Sequence, residues 1–343
     1  MRLLLLGGTW FLGRTLAELA VEAGWEVTCF NRGKTGRDVP GTHSIRGDRT
    51  SQADLDRLAA GGPWDAVVDT SVYEPPDALA MATALKDTVG TYVLTSTVSA
   101  YRDWPAQPVS EISALWPSRP DARESDSDLA AIPEPHAYGT LKAGCEQAVR
   151  EVFADRSLIL RPGVVLGPHE YVGRLSALLR RAERGGPMLA AGDPTQPIQP
   201  LDVRDLANFL IRLLRAENLG TFNVTAPPGH STYGSLLEAC TRATGGGASL
   251  VWADSLWLQE QGVRQWTEMP LWRTPAGTWA VDSTRAVEAG LTCRPLPETV
   301  EDTWQSLHQE PLVAHTRQGE HGMQPEREAQ LLRLWYNQEP SSI

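Results

Sequence analysis

The chain is poor in lysine: it has only Lys34, Lys86 and Lys142, and every other basic residue is an arginine. Acidic residues number 42 against 31 basic ones, and the formal net charge is -11. This balance argues against a nucleic-acid-binding surface. The sequence also lacks the run of about 18 apolar residues that a transmembrane helix requires. We therefore expect neither nucleic acid nor a membrane as a partner.

Cysteine is also sparse, and the four residues are Cys29, Cys145, Cys240 and Cys293. They are far apart in the sequence, with no C-x-x-C pair and no histidine at zinc-binding spacing. This pattern argues against a disulfide framework and against a structural metal site. It is typical of a protein in the reducing cytoplasm.

The sequence does contain a regular alternation of short apolar runs and helical patterns from its start to Ala100. Such alternation predicts right-handed βαβ units in an α/β fold with a Rossmann-type, doubly wound parallel sheet. The predicted strands are Arg2–Leu6, Glu26–Phe30, His43–Arg46, Ala66–Asp69 and Tyr92–Thr95. The predicted helices are Phe11–Ala23, Ala53–Ala60 and Asp77–Leu85. Asp103–Pro135, which is rich in proline and charge, interrupts this pattern and predicts an irregular excursion acting as a lid.

A glycine-rich turn, Gly7–Gly13, joins the first strand to the first helix. Glycines let the backbone approach a pyrophosphate, and a helix N-terminus supplies N–H groups and a favourable dipole. Trp10 replaces the middle glycine of the usual fingerprint. The strand–loop–helix context nevertheless predicts a dinucleotide-binding site rather than a purely structural turn. The predicted contacts are Gly7, Gly8, Thr9, Trp10, Phe11, Leu12 and Gly13, with Thr70 after the fourth strand.

The end of the second strand bears on the choice between NAD and NADP. It reads Asn31-Arg32-Gly33-Lys34 and has no carboxylate to bind the ribose 2′-hydroxyl. Arg32 stands roughly 20 residues after the glycines, where it would receive a 2′-phosphate. NADP is therefore predicted over NAD, with Asn31 as a further contact; the alternative is that Arg32 is a solvated loop residue. Asp48 is predicted either to face the adenine amino group or to cap the next helix.

Tyr138 and Lys142 stand four residues apart on a predicted helix, which places them on one face. A tyrosine acts as acid or base near neutral pH only if its pKa, normally about 10, is lowered. A nearby ammonium does this by favouring the phenolate, and Lys142 would also bind the nicotinamide ribose. Thr97, with Ser96 as second choice, ends the fifth strand and would donate to a substrate carbonyl. The alternative is that Tyr138 is a surface residue whose ring packs on the aliphatic part of the Lys142 side chain.

With these motifs in order, the chain resembles the extended short-chain dehydrogenase/reductases, the NAD-dependent epimerase/dehydratase group. The matching segments are Gly7–Gly13, Thr97 before Tyr101, Tyr138-x-x-x-Lys142, Arg161–Pro168 and Asp202–Ala207. The resemblance implies a Rossmann domain over residues 1–165, with an irregular insertion at 103–135. It implies a smaller C-terminal α/β substrate region over 166–310, interleaved with the first domain, and an extension over 311–343. It also implies a triad of Thr97, Tyr138 and Lys142, and contacts to the nicotinamide end from Arg161–Val164, including Pro162 and Val164.

The glycine pattern resembles the atypical G-G-x-x-x-x-G branch, whose members have varied functions. The first hypothesis is a cytoplasmic NAD(P)-dependent reductase or dehydrogenase of a small-molecule carbonyl or alcohol. An epimerase with retained NAD and a non-catalytic RNA-binding protein on the same fold are the alternatives. Val98-Ser99 replace the Asp-Glu pair of the family's dehydratases, which argues against sugar-nucleotide 4,6-dehydration. Homodimers are common in the family, so the resemblance also allows one here.

Overall fold

The computed structural model describes residues 1–126, 136–309, 315 and 319–337. The second half of the predicted insertion, residues 127–135, and parts of the predicted C-terminal extension lie outside the described residues. The chain divides into two compact units. The first comprises Met1–Val165, Val203–Pro227 and Ala276–Thr292; the second comprises Leu166–Asp202, Pro228–Pro275 and the residues from Cys293 onward.

The strands, in chain order, are β1 (Arg2–Leu6), β2 (Glu26–Asn31), β3 (His43–Arg46), β4 (Trp64–Asp69), β5 (Val89–Thr95), β6 (Ser157–Pro162), β7 (Val165–Leu166), β8 (Gly186–Ala191), β9 (Pro197–Ile198), β10 (Leu201–Asp202), β11 (Gly220–Val224), β12 (Ser231–Thr232) and β13 (Ala248–Ala253). The helices are α1 (Phe11–Glu22), α2 (Gln52–Ala60), α3 (Pro75–Leu85), α4 (His136–Phe153), α5 (Arg174–Glu183), α6 (Val203–Arg215), α7 (Tyr233–Thr244), α8 (Ser255–Glu260), α9 (Thr284–Glu288), α10 (Leu296–Gln309) and α11 (Pro325–Tyr336). A short 3-10 turn, Val98–Ala100, follows β5.

The first unit is built on a seven-stranded parallel sheet in the order β11-β6-β5-β4-β1-β2-β3. The chain leaves β1 towards β2 on one side and later returns to place β4 on the other side. The strand order therefore reverses between β1 and β4, which is where ligands bind in such folds, beyond the carboxyl ends of the strands. The predicted doubly wound parallel sheet is confirmed.

The continuous apolar run of β1 forms a strand because it is buried on both faces. Leu3 through Leu6 have no exposed surface, as expected for a central strand covered by helices on each side. Leu4 and Leu6 pack into a core with Met81 of α3 and Ala148 of α4. Helix α4 is thereby fixed against the sheet, which matters because it carries both Tyr138 and Lys142.

The described part of the predicted lid, Asp103–Asp126, is packed within the first unit. Trp104 is 8% exposed, and its indole N–H donates to the carbonyl of Thr278. Val109 forms a parallel bridge to Val281, while Ala122 packs on Leu141 of α4. Apolar residues between its prolines anchor this part to the body of the unit, and its action as a lid stays a prediction.

The second unit contains the parallel pair β8–β13 with α5, α7 and α10 packed together. Helix α11 lies within the predicted C-terminal extension. Glu328 fixes this helix by accepting hydrogen bonds from the Arg181 side chain and the Leu189 backbone. No helix in the described part of the chain is long and apolar enough to cross a membrane.

Candidate active site

The glycine turn forms a close-packed cradle at the carboxyl end of β1. A Cβ on Gly8 would lie 2.5 Å from the Cys29 sulfur, and one on Gly13 would lie 2.7 Å from the Gly8 nitrogen. A Cβ on Gly7 would lie 2.7 Å from the Thr70 hydroxyl, which donates to the Leu6 carbonyl. The structure thus brings together four of the predicted cofactor residues, at the point where the strand order reverses.

Helix α1 begins directly after this cradle. Trp10 occupies the N-cap position and makes no side-chain capping hydrogen bond. Phe11 begins the helix with a φ of 40°, a left-handed conformation that non-glycine residues rarely adopt and that tends to occur at functional sites. The Thr9 hydroxyl lies 2.9 Å from that of Thr35, and Leu12 is buried. The turn is therefore shaped by backbone geometry, with its helix N-terminus uncapped by a side chain.

Asn31, the last residue of β2, lies beside the cradle, and Arg32 in the loop that follows is exposed. The Asn31 amide donates to the Gly7 carbonyl at 3.4 Å, and its oxygen accepts from the Gly33 backbone at 2.8 Å. Asp48 accepts from the backbone and hydroxyl of Thr50. These hydrogen bonds, helped by the charge of Arg32 and Lys34, lower the pKa of Asp48. Ser51 is the N-cap of α2, so the capping alternative for Asp48 is wrong.

A buried ion pair that the sequence did not reveal anchors the segment after Asp48. Arg49 donates to both carboxylate oxygens of Asp69, at 3.0 and 3.2 Å, and to the Ser71 hydroxyl. Burial alone would lower the pKa of Arg49, but Asp69 raises it. Tyr92 of β5 donates to the same carboxylate at 3.0 Å. The ends of β3, β4 and β5 are therefore tied together beneath the predicted adenosine side of the site.

Helix α4 reaches the site because glycine lets it approach the turn after β5. A Cβ on Gly139 would lie 2.0 Å from the Ser99 carbonyl oxygen, so any larger residue would push the helix away. Tyr138, next to this glycine, is half-buried. Its ring centroid lies 6.2 Å from that of Tyr73, in the loop after β4. The predicted tyrosine therefore lies beside the turn that begins at Thr97.

Lys142 is fixed between the ends of two central strands. Its Nζ donates to the carbonyl of Thr95, the last residue of β5, at 2.7 Å, and to that of Val72 at 2.9 Å. The side chain is 4% exposed, and its ammonium lies 5.6 Å from the centroid of the Tyr73 ring. A buried cation needs such partners, so this lysine is not a stem lying on the surface.

Thr97 and Ser96 have different environments. The Ser96 hydroxyl donates to Glu146 at 2.6 Å and is buried. The Thr97 hydroxyl accepts from the Ser99 backbone at 3.1 Å, and a hydroxyl that accepts still carries a hydrogen that it can donate. The geometry therefore favours Thr97 over Ser96 as the group that meets a substrate oxygen.

Beneath these residues lies a buried polar network centred on Glu146 and Arg161. The two side chains form a bidentate ion pair at 2.8 and 2.5 Å. Arg161 also donates to the Tyr101 hydroxyl, which donates to Asn223 of β11 at 2.7 Å. Burial alone would lower the pKa of Arg161, but Glu146 raises it. The guanidinium of Arg161 is thus engaged in the interior of the unit.

The residues after Arg161 form the last predicted part of the site. Pro162 ends β6 and pairs with Val224 of β11 in the sheet register. Pro162 and Val164 are both buried. A Cβ on Gly163 between them would lie 2.7 Å from a Thr225 methyl, so the chain turns here in close contact with β11.

The second unit contains a cationic cluster of its own. The guanidinium groups of Arg174 and Arg273 lie 5.1 and 5.0 Å from the centroid of Trp266. Burial and the charge of Arg174 lower the pKa of Arg273. Glu170 accepts hydrogen bonds from the first backbone N–H groups of α5, and burial raises its pKa. Among the described residues, no group of three or more His, Cys, Asp or Glu side chains could hold a metal ion.

The chain is similar in sequence to a known family and to two characterised proteins. A model of the NAD dependent epimerase/dehydratase family matches residues 3–225. The dTDP-6-deoxy-L-talose 4-dehydrogenase (NAD(P)(+)) of Kitasatospora kifunensis is 30% identical over 252 residues, covering 66% of this chain and 72% of that protein. The chloroplast stem-loop binding protein of 41 kDa b of Arabidopsis thaliana is 23% identical over 260 residues, covering 71% of this chain. The match spans 63% of the Arabidopsis protein, less than two thirds of its length.

Solved structures share the fold at lower identity. The Bordetella bronchiseptica enzyme WbmH, in complex with NAD+, superposes with a TM-score of 0.68 at 19% identity, covering 91% of this chain and 99% of that one. The UDP-glucose 4-epimerase of Thermotoga maritima, with UDP-glucose, gives a TM-score of 0.66 at 17% identity, covering 90% and 99%.

Proposed function

Because this chain belongs to the NAD-dependent epimerase/dehydratase family, we propose that it transfers hydride between a nicotinamide cofactor and a carbonyl or alcohol substrate. One observation carries the proposal. Lys142 is fixed at the ends of β4 and β5, with Tyr138 one turn earlier on the same helix. Thr97, at the start of the turn after β5, completes the set of polar groups that carbonyl reduction needs.

The cradle supports dinucleotide binding. Gly7, Gly8 and Gly13 let the loop pack closely on Thr70, on Cys29 and on itself. A pyrophosphate would bind to the backbone of this loop, with the N-terminus of α1 supplying N–H groups. Lys142, Pro162 and Val164 would hold the nicotinamide end. When bound, the nicotinamide supplies or accepts the hydride.

NADP is proposed over NAD because the end of β2 carries basic groups and no carboxylate. Arg32 and Lys34 are exposed and close enough to Asp48 to lower its pKa. A 2′-phosphate would gain charge-assisted hydrogen bonds from Arg32. Asn31, held on the Gly7 carbonyl, would lie between this phosphate site and the cradle.

The proton in this reaction would come from Tyr138. During reduction its phenol donates to the substrate oxygen as the carbon receives hydride, and the resulting phenolate is stabilised by the ammonium of Lys142. In the oxidation direction the same phenolate removes the alcohol proton. Thr97 would donate a hydrogen bond to the substrate oxygen and stabilise the charge that develops there.

A second candidate within the family is a nucleotide-sugar epimerase that keeps its cofactor. The names of the talose dehydrogenase and of the UDP-glucose 4-epimerase from Thermotoga maritima support a nucleotide-sugar substrate.

Mass spectrometry of nucleotide released from the purified, denatured protein separates the two candidates. A reductase with exchangeable cofactor is expected to release less than a tenth of an equivalent of nucleotide. An epimerase is expected to release close to one equivalent of NAD. Stoichiometric retained NAD would therefore contradict the reductase proposal and favour the epimerase.

A non-catalytic RNA-binding role is the third alternative, and the name of the Arabidopsis relative points to it. The net charge of -11 opposes this role, since RNA binding depends on basic surface.

The buried thiols of Cys29, Cys145 and Cys240 support the proposal of a cytoplasmic location.

A further inference from the structure

Tyr73 is a large aromatic residue at the site that the sequence motifs do not include. It lies in the loop after β4 and is 54% exposed. Its ring is nevertheless in contact range of both candidate residues of α4: the Tyr138 ring centroid is 6.2 Å away and the Lys142 ammonium is 5.6 Å away. An exposed aromatic ring beside two candidate catalytic groups requires an explanation.

The exposure of Tyr73 does not come from a loosely held loop. The carbonyl of Val72 accepts from Lys142 at 2.9 Å, and the Tyr73 carbonyl accepts from the Cys145 sulfur at 3.6 Å. On the other side, the Glu74 carboxylate accepts from the Arg123 side chain at 3.1 Å. The backbone is therefore held before and after Tyr73, and this fixes the position from which the ring extends.

The ring supplies a third electron-rich surface to the Lys142 ammonium. Two carbonyl oxygens already accept from this nitrogen, at 2.7 and 2.9 Å. The face of an aromatic ring carries negative partial charge and attracts a cation within about 6 Å. Lys142 is 4% exposed and Tyr73 is 54% exposed, so the ring lies beside a buried cation while part of the tyrosine meets solvent.

We propose that Tyr73 is a positioning residue for the Tyr138–Lys142 pair, and that its ring holds the ammonium of Lys142 in place beside the phenol. This role rests on the proposed function, in which Tyr138 exchanges a proton with the substrate. The aromatic ring of Tyr73 performs this positioning role, and the Tyr73 hydroxyl is not required for it. Phenylalanine at this position preserves the role and alanine removes it.

Other titratable groups face this cluster. On α4, burial raises the pKa of Cys145 to about 12, an effect that Lys142 opposes. Glu146, on the same helix, is paired with Arg161. The Arg49–Asp69 pair lies beneath the ends of β4 and β5, and Glu74 in the loop itself is paired with Arg123. Subtracting the titration of a Tyr138→Phe variant removes the contributions of all these groups and leaves that of Tyr138.

The test is a pH titration of tyrosinate absorbance near 295 nm in the intact protein. It compares the parent, Tyr73→Ala and Tyr73→Phe, each measured with and without Tyr138→Phe, so that each difference reports Tyr138 alone. We expect Tyr73→Ala to raise the midpoint of Tyr138 by about half a pH unit or more, because an ammonium that loses its ring moves and is screened by water. Tyr73→Phe is expected to leave the midpoint unchanged.

Binding of NADH and NADPH to the same variants completes the test. A positioning role predicts dissociation constants within about twofold of the parent for both variants. An unchanged Tyr138 midpoint in Tyr73→Ala would overturn the proposal, and so would a tenfold loss of cofactor affinity, which would make Tyr73 a cofactor contact. A Tyr138 midpoint near 10 in the parent would instead overturn the proposed function, since Lys142 would then have no effect on the phenol.

Discussion

Replacing Tyr138 by phenylalanine is expected to lower kcat/KM by about 10²- to 10⁴-fold, the usual contribution of a positioned general acid. The change removes only the phenolic oxygen and keeps a ring that packs against Tyr73 at 6.2 Å. The cradle of Gly7, Gly8 and Gly13 is untouched, so cofactor dissociation constants are expected to stay at the parent value. Steady-state turnover and cofactor titration of the same preparation measure both quantities.

Tyr336→Phe provides the matched control. Tyr336 is at the end of α11 and is half exposed, so loss of its hydroxyl should leave turnover unchanged. Full activity in Tyr138→Phe would remove the acid–base role from this residue. Equal losses of turnover and of cofactor binding would indicate that Tyr138 supports the pocket without transferring a proton.

Glu146→Ala is expected to lower the free energy of unfolding by about 3–5 kcal/mol, the cost of leaving a buried charge without its partner. Glu146 has no exposed surface, and the guanidinium of Arg161 that pairs with it is also buried. Ser96 would lose its acceptor as well. Chemical denaturation followed by tryptophan fluorescence measures the change.

The paired variant Glu146→Leu with Arg161→Met removes both charges and is expected to recover part of that loss, because apolar residues replace a buried ion pair at little cost. Glu151→Ala, on the exposed face of the same helix, controls for helix propensity and should cost less than 1 kcal/mol. A loss in Glu146→Ala no larger than in Glu151→Ala would show that the network does not hold the site together.

The sequence was sufficient for the parts of the fold that depend on local pattern. The burial of β1 followed from an uninterrupted apolar run, and the cradle followed from glycines between a strand and a helix. The i, i+4 spacing placed Tyr138 and Lys142 on one helix. Strand alternation then placed Gly7 and Thr70 at the same edge of the sheet, because carboxyl ends of parallel strands meet there.

The contacts that the sequence left open join different elements of the fold. The Glu146–Arg161 pair links a helix to a strand, and Tyr101 meets Asn223 across 122 positions; no local pattern encodes such partners. Tyr73 carried one usable signal, since it follows a strand whose carboxyl end lines the crevice. The burial of Trp104 and Val109 in Asp103–Asp126 could not be predicted, because the apolar residues between its prolines have no periodicity.

The most direct test of the central claim, that the proposed cradle binds a nicotinamide cofactor, is an energy-transfer titration in which tryptophan emission excites bound NADPH or NADH. We expect both cofactors to bind, NADPH more tightly, and Arg32→Ala to weaken NADPH at least tenfold while NADH changes little; Arg242→Ala, exposed in the second unit, should change neither. Equal weakening of both cofactors by Arg32→Ala would contradict the 2′-phosphate assignment. If neither NADPH nor NADH binds, the account as a whole is contradicted, and the replacement of the usual glycine by Trp10 is then a defect of the loop.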